Sequence, residues 1–198
     1  VGLGIAHGLS EDRLREQLKL IRELSERMDG FRVLTGIEVD LRADGTLDFP
    51  DELLNEIDIV TASVHSSLEQ ETGKMTERLL RAIRNPNVDV IGHPTGRIIQ
   101  QRESEQYDIV KIFRAAAETG TAMEVNSMPN RLDLRDEYIK AAKELGVMLV
   151  INTDSHTTEQ LAFMRYGVAQ ARRGWCEARH VLNTKPVEEV LSYVRRNQ

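Results

Sequence analysis

Short apolar runs that open directly onto a histidine or a carboxylate recur along this chain, and they restrict its fold more than any other feature. The clearest is Val147-Met148-Leu149-Val150-Ile151, followed at once by Asn152, Thr153, Asp154, Ser155 and His156. Such a run suits a buried strand and is too short for a helix of ordinary length. The strand period of two predicts the side chains of Asp154 and His156 on the same side of the pleat. Taken alone, Asp-Ser-His ahead of a helix that begins near Thr157 reads more readily as a helix cap, with Asp154 or Ser155 meeting the first amides. Recurrence tips the balance: VLTGIEVD carries Glu38, IVTASVHS carries His65 and VDVIGHP carries His93, each at an expected strand end.

Helical patterns fill the spaces between the runs. Ser10 can cap a helix that runs to about Met28, with Leu14, Leu18, Ile21, Leu24 and Met28 on one face and Gly30 as its stop. Further helices are expected over 75–84, stopped by Asn85-Pro86, over 107–118 before Gly120, over 135–145 before Gly146, and over 157–173 and 186–195. Strands are expected over 31–39, 57–64, 88–91 and 121–125, with a turn at Asp44-Gly45 and a short helix over 50–56. Strands alternating with helices predict an α/β fold, a parallel sheet wrapped by helices, in which ligands gather at the carboxyl ends of the strands. Glu38, His65, His93, Asp154 and His156 all map to that edge. The loop Gly92 to Arg97 is expected to be tight and exposed, with His93 facing a pocket. Glu38 is expected to be buried, which is costly unless it is paired or bound to a cation. Glu124 reads as buried support, and His7 as a histidine in a glycine-rich loop.

The net charge of −6 advertises no broad basic surface for nucleic acid. Any anionic substrate would then be held by local arginines and by cations. The single cysteine, Cys176, excludes an intrachain disulfide and fits a reducing cytoplasm; beside Trp175 it reads as a small buried side chain. No apolar run approaches the length of a membrane span, and no signal peptide opens the sequence. The start at Val1 without a methionine is what a fragment or a processed product would have, and one domain over 1–198 is expected. Neither a nucleophile elbow nor a phosphate-cradling glycine loop is present.

Three histidines and two carboxylates form a nitrogen and oxygen donor set that suits Zn, Mn or Fe. So many protein ligands exceed what one catalytic ion with an open position uses, so ions sharing a bridging carboxylate are the better expectation. Such a site suits in-line displacement at phosphorus, which makes phosphoester hydrolysis the favoured reaction class. Arg97 and Arg131 are candidates for neutralising phosphate, with a solvated surface arginine as the plain alternative for each.

With GIEVD, SVHSS, GHPTGR, EVNSMPNRLDL and NTDSH in this order, the sequence resembles the PHP (polymerase and histidinol phosphatase) domain, in the form found at the C-terminus of bacterial family X DNA polymerases. The likeness extends to MTERLLRAI and RYGVAQARRGW and so covers nearly the whole chain. It implies a distorted, TIM-like (β/α)7 barrel with two or three divalent metal ions at the strand ends. It also implies Glu38 as a bridging carboxylate, His65, His93, Asp154 and His156 as further ligands, and Arg97 and Arg131 as phosphate contacts. The His-x-His strand and Asp-His pair that open the family pattern do not occur here, so the barrel is expected to be incomplete, without its first strands. The implied activity is a 3′-5′ exonuclease serving DNA repair, acting on DNA 3′ ends beside N-terminal polymerase domains of a parent chain. A small-molecule phosphatase of the histidinol-phosphate type and a non-catalytic scaffold are the alternatives.

Overall fold

The computed structural model describes residues 8–104 and 106–194. His7 therefore lies outside the described residues. In chain order the elements are α1 (Glu11–Glu26), β1 (Gly36–Asp40), α2 (Asp51–Leu54), β2 (Ile59–Ser63), α3 (Thr72–Ile83), β3 (Val90–Ile91), α4 (Ile109–Thr119), β4 (Ala122–Asn126), α5 (Asp136–Glu144), β5 (Leu149–Asn152), α6 (Met164–Arg173) and α7 (Val187–Val194). A 3₁₀ helix, Thr158–Phe163, leads into α6, and two short 3₁₀ turns precede α7.

The five strands form one parallel sheet in the order β1-β2-β3-β4-β5. Glu38 pairs with Thr61, Thr61 with Val90, Val90 with Ala122, and Glu124 with Val150. Alternation along each strand then divides the sheet into two faces. The outer face carries Val39, Val60, Ala62, Ile91, Met123, Val125, Leu149 and Ile151. It is buried in the main core with Leu14 and Leu18 of α1, Leu79 and Ile83 of α3, Phe113 of α4 and Ile139 of α5. The inner face is apolar at its base, where Val90, Ala122 and Val150 cluster with Ile59, Met148 and Tyr193. Leu191 and Val194 of α7 and Leu182 pack beneath this layer. Toward the carboxyl ends the same face turns polar, with Glu38, Thr61, Ser63, Glu124, Asn126 and Asn152. The apolar floor and the polar rim of the site are thus successive positions on the same strands.

The two sheet edges differ. Beside β5, the Asn183 side chain accepts a hydrogen bond from the Ile151 N–H at 3.1 Å and donates one to the Ile151 carbonyl at 2.6 Å. Val181 adds a parallel bridge to Leu149. Among the described residues, β1 has no neighbour on its outer side.

Several expectations are corrected. The first strand begins at Gly36 rather than near residue 31, and Phe31 is exposed. On α1 only Leu14 and Leu18 are buried; Leu24 and, beyond the helix end, Met28 are exposed. The region 157–173 starts as a 3₁₀ helix before becoming α6. The Gly92–Arg97 loop, expected to be exposed, is buried from Gly92 through Gly96.

Candidate metal centre

Burial of that loop follows from the groups that pin it. The His93 backbone N–H donates to Glu124 Oε2 at 2.6 Å. The Thr95 N–H and hydroxyl donate to the two carboxylate oxygens of Asp133 at 2.9 and 2.8 Å. Tyr107 Oη donates to the Pro94 carbonyl at 2.5 Å. Gly92 has no room for a side chain: a Cβ there would lie 2.3 Å from Ser63 Oγ and 2.8 Å from Thr61 Cγ2. His93 itself takes a positive φ of 28°. The loop bends into the sheet end and carries the imidazole inward rather than standing clear of it.

There His93 meets His65 and Glu38. The two Nε2 atoms are 3.2 Å apart, and Glu38 Oε1 lies 3.2 Å from His93 Nε2 and 3.6 Å from His65 Nε2. Each residue offers one donor atom, and the three atoms lie within 4.8 Å of one another. Two imidazole nitrogens facing each other beside one carboxylate oxygen is an arrangement a shared cation satisfies better than protons do. His65 turns its other nitrogen, Nδ1, toward Asp40 Oδ1 at 3.4 Å. A carboxylate on the far ring nitrogen is a common way to orient a metal-ligating histidine. Ser63 Oγ donates to Glu38 Oε1 at 2.5 Å, fixing the carboxylate on that side. The donor set and its supports therefore fit a divalent metal ion.

Electrostatics follow from the same contacts. Burial pushes the Glu38 carboxyl upward, but the hydrogen bond and charge of His93, the Ser63 hydroxyl and the His65 charge outweigh it and hold the pKa at about 2. Burial disfavours the charged form of His93, yet hydrogen bonding to Glu38 and the charges of Glu124 and Glu38 raise its pKa above the ordinary value. Burial and the neighbouring His93 lower that of His65. Glu38 was expected to be buried; it sits at the rim with its side chain 39% exposed, while Glu124 is the buried carboxylate.

Glu124 is the hub of the β4–β5 side. Besides the His93 amide it accepts from Asn152 Nδ2 at 2.9 Å and Asn126 Nδ2 at 3.2 Å, and Asn126 Nδ2 also reaches Asp154 Oδ2 at 3.2 Å. Burial pushes its pKa up. Asp154, with φ +52°, turns away from the strand line, and a cavity of about 350 Å³ beside it is lined by Glu38, Thr61, Glu124 and Asn152. His156 does not share that direction. Its imidazole is 77% exposed, with Nδ1 2.8 Å from the Asp154 carbonyl and 4.0 Å from Asp154 Oδ1. The strand ends at Asn152, so the period of two no longer governs Asp154 and His156.

The arginines also part company. Arg97 Nε donates to the Arg131 carbonyl at 2.7 Å, and its Nη2 donates to the Leu132 carbonyl. Arg97 thus braces the turn that carries Arg131. Arg131 Nη1 is buried without a partner, and its charge opposes protonation of His93.

Sequence reasoning does not single out Asp40, Ser63, Asn126 or Asn152, and marks Gly92 only as a turn glycine. Asp40 and Ser63 were within reach, because each stands two residues from a flagged side chain, Glu38 or His65, on the same face of its strand. The contacts of Gly92, Asn126 and Asn152 depend on neighbouring strands.

An open parallel sheet whose strand ends bring histidines and carboxylates together is a metal-site architecture of the α/β barrel class. No family model matches the chain. The DNA polymerase/3′-5′ exonuclease PolX of Bacillus subtilis is 46% identical over 195 residues, 98% of this chain, and the chain spans about a third (34%) of that relative's length. A probable phosphatase of Acetivibrio thermocellus is 32% identical over 188 residues, 90% of this chain and 74% of the relative. The crystal structure of histidinol phosphate phosphatase from Lactococcus lactis, complexed with zinc, L-histidinol and phosphate, superposes with a TM-score of 0.57 over 86% of this chain and 76% of that one, at 17% identity. The chain belongs to the PHP family. Its fold is the family's α/β barrel, left open between β1 and β5 among the described residues.

Proposed function

We propose that the chain is a metal-dependent phosphoesterase, the 3′-5′ exonuclease module of a bacterial family X DNA polymerase that trims DNA 3′ ends during repair in the cytoplasm. The observation that carries the reading is the convergence of Glu38, His65 and His93 donor atoms at the carboxyl ends of parallel strands. The identity with a polymerase and exonuclease across 98% of the chain supports the choice of substrate. In this reading Glu38, His65 and His93 would hold the ions on one side of the site, with Glu38 as the shared carboxylate. Asp154 and His156 contribute from the β5 side, His156 by rotation of its exposed ring. Two or three ions of Mn, Zn or Fe would supply Lewis acidity and an activated water.

The chain's own residues do the positioning. Asp40 orients His65, Glu124 holds the His93 backbone, and Asn126 steers Asp154. Arg131 would contact the substrate phosphate, a role its unpartnered Nη1 supports, and Arg97 braces the loop that carries it. The remainder of a parent chain would supply N-terminal polymerase domains.

The test is elemental analysis of the purified chain together with degradation of a 3′-labelled oligonucleotide. Bound divalent metal and exonucleolysis, both lost in His93→Ala, are expected. Full exonuclease activity in that variant would overturn the assignment. A second reading, a small-molecule phosphatase, is favoured by the probable phosphatase that the chain matches over 74% of its length. Hydrolysis of a phosphomonoester without hydrolysis of DNA would select it. Metal binding with neither activity would leave the scaffold reading.

A further inference from the structure

Between Gln160 and Cys176 the chain has three arginines and no carboxylate, against a net charge of −6 for the whole. The arginines, Arg165, Arg172 and Arg173, lie on the exposed side of α6. Several other cations on this flank are neutralised: Arg135 faces Glu137, Lys140 faces Glu144, Arg179 pairs with Glu177, and Arg173 itself pairs with Asp136 at 2.7 Å. Arg165 and Arg172 have no carboxylate partner among the described residues. Arg165 lies over its neighbour's ring, 4.7 Å from the Tyr166 centroid, and donates to Tyr166 Oη. Together with Val168, Ala169 and Arg173 the two line a shallow groove of about 410 Å³.

At the end of the helix stands Trp175, 68% exposed. It takes the left-handed φ of +55° that glycine usually supplies at a helix stop. The preceding Gly174 cannot exchange places with it, because a Cβ on Gly174 would lie 2.2 Å from Ile139 Cγ2. That explains the backbone but gives no reason for a large apolar ring facing water. Lys140 Nζ stands 5.6 Å from the ring centroid.

The helix also has a fixed relation to the candidate centre. Gly167 packs against Ser127 and Ile151, so the first turn of α6 lies at the end of β4 and β5 where Asn126 and Asp154 stand. At about 1.5 Å of rise per residue, Arg165 to Arg172 spans about 10 Å, and Trp175 lies a turn beyond. Unpaired guanidinium groups along a groove, followed by an aromatic face, match a strand of phosphates with an unstacked base. A duplex would offer no free base to the indole, and a small phosphomonoester would not reach across the helix.

We propose that the exposed face of α6, from Arg165 through Arg172 to Trp175, is a binding track for single-stranded DNA that leads its end toward the metal centre. The proposal rests on the exonuclease reading for its direction, but not for the contact itself. Trp175 is the only tryptophan, so its fluorescence reports the contact directly.

The test is titration of the purified chain with an oligothymidylate in EDTA, where no hydrolysis occurs, followed by tryptophan fluorescence and by the anisotropy of a labelled oligonucleotide over a range of salt. Salt-reversible quenching is expected. The Arg165→Glu/Arg172→Glu variant, shown to be folded by circular dichroism, should bind at least about tenfold more weakly. Its log-log salt slope should be reduced by about 1.4, at about 0.7 per phosphate. Trp175→Ala should weaken binding with the slope unchanged. No quenching in the natural chain, or unaltered binding and slope in the double variant, would overturn the track. A chain that binds in this way but never degrades DNA would sink the exonuclease reading alone. A chain that degrades DNA while both variants bind normally would sink the track alone.

Discussion

Arg78 of α3 is almost fully buried, yet it ends in a charge. Its Nη1 donates to the Ser66 carbonyl at 3.0 Å, the Ser67 carbonyl at 3.3 Å and Gln70 Oε1 at 3.2 Å, and its Nη2 donates to the Leu41 carbonyl. Leu41 follows Asp40 and Ser66 follows His65, so one guanidinium ties together the two loops that leave β1 and β2 at the candidate metal centre. Replacing Arg78 with Met keeps the apolar stem and removes every donor. The Ser66 and Ser67 carbonyls belong to exposed residues and can turn to water, whereas Leu41 is fully buried and its carbonyl would be left without this partner. Hydrogen bonds to a charged group contribute about 1.5–3 kcal/mol each and an unsatisfied buried acceptor costs about 1–3 kcal/mol. Allowing for rehydration of the outer loop, the expected loss is about 3 kcal/mol, read as a shift of the urea midpoint at unchanged m-value. Metal affinity of the folded variant should also fall, since His65 and Asp40 lose their common anchor. Arg78→Lys should recover only part of the loss, because an ammonium cannot span the same fork of acceptors. A midpoint for Arg78→Met within about 0.5 kcal/mol of the parent would refute the reasoning, since that is the range of an indifferent surface change.

Other expectations follow from the same geometry. Gly92→Ala forces a methyl against Ser63 and should cost about 1–3 kcal/mol of overpacking strain along with metal content; an unchanged melting temperature and metal load would contradict the close approach. Glu124→Gln places an amide donor where the His93 N–H, Asn126 and Asn152 all donate, so destabilisation of about 1–3 kcal/mol is expected by thermal melting. A stability equal to the parent would mean these donors do not converge on Glu124. The Glu38 carboxyl is depressed from 4.5 to about 2, so its contribution to the metal-free fold is present above the unfolded value and lost as pH falls toward the folded one. The stability difference between the parent and Glu38→Gln should therefore be flat above about pH 5 and shrink below 4.5; a difference that grows on acidification would reverse the sign. Metal binding must displace a proton from His93, whose pKa is raised, so affinity should begin to weaken above the ordinary histidine value as pH falls. Competition that sets in only well below pH 6 would show that His93 is not a ligand.

Much of this arrangement was legible because strands obey local rules. Apolar runs bounded by glycine and proline place β2 through β5 within a few residues, and a parallel sheet puts their carboxyl ends on one edge. That placement was enough to bring Glu38, His65 and His93 together. It did not extend past the end of β5. Asp154 and His156 diverge because the backbone leaves the pleat at Asn152. The Gly92–Arg97 loop is buried by Asp133, Glu124 and Tyr107, distant in sequence and invisible to any window around the loop. Phe31 and Val33 are apolar and suggest an earlier start for the first strand, but only from Gly36 does the backbone find β2 as a partner. At Arg97 a charge beside glycines suggests an anion-binding loop, and the local sequence gives no sign of the two carbonyls, more than thirty residues away, to which it donates.

The Asn183 side chain that occupies the outer rim of β5 has a consequence for self-association. Its amide takes the place of a neighbouring peptide group, so a foreign strand finds Ile151 already bonded. Among the described residues, growth by adding strands can therefore proceed from β1 alone. Two copies meeting there must do so as equals, β1 against β1 about a two-fold axis, and each would then present only its sealed rim to a third. Misassembly through the sheet edge of this chain would stop at a pair instead of propagating into a fibre.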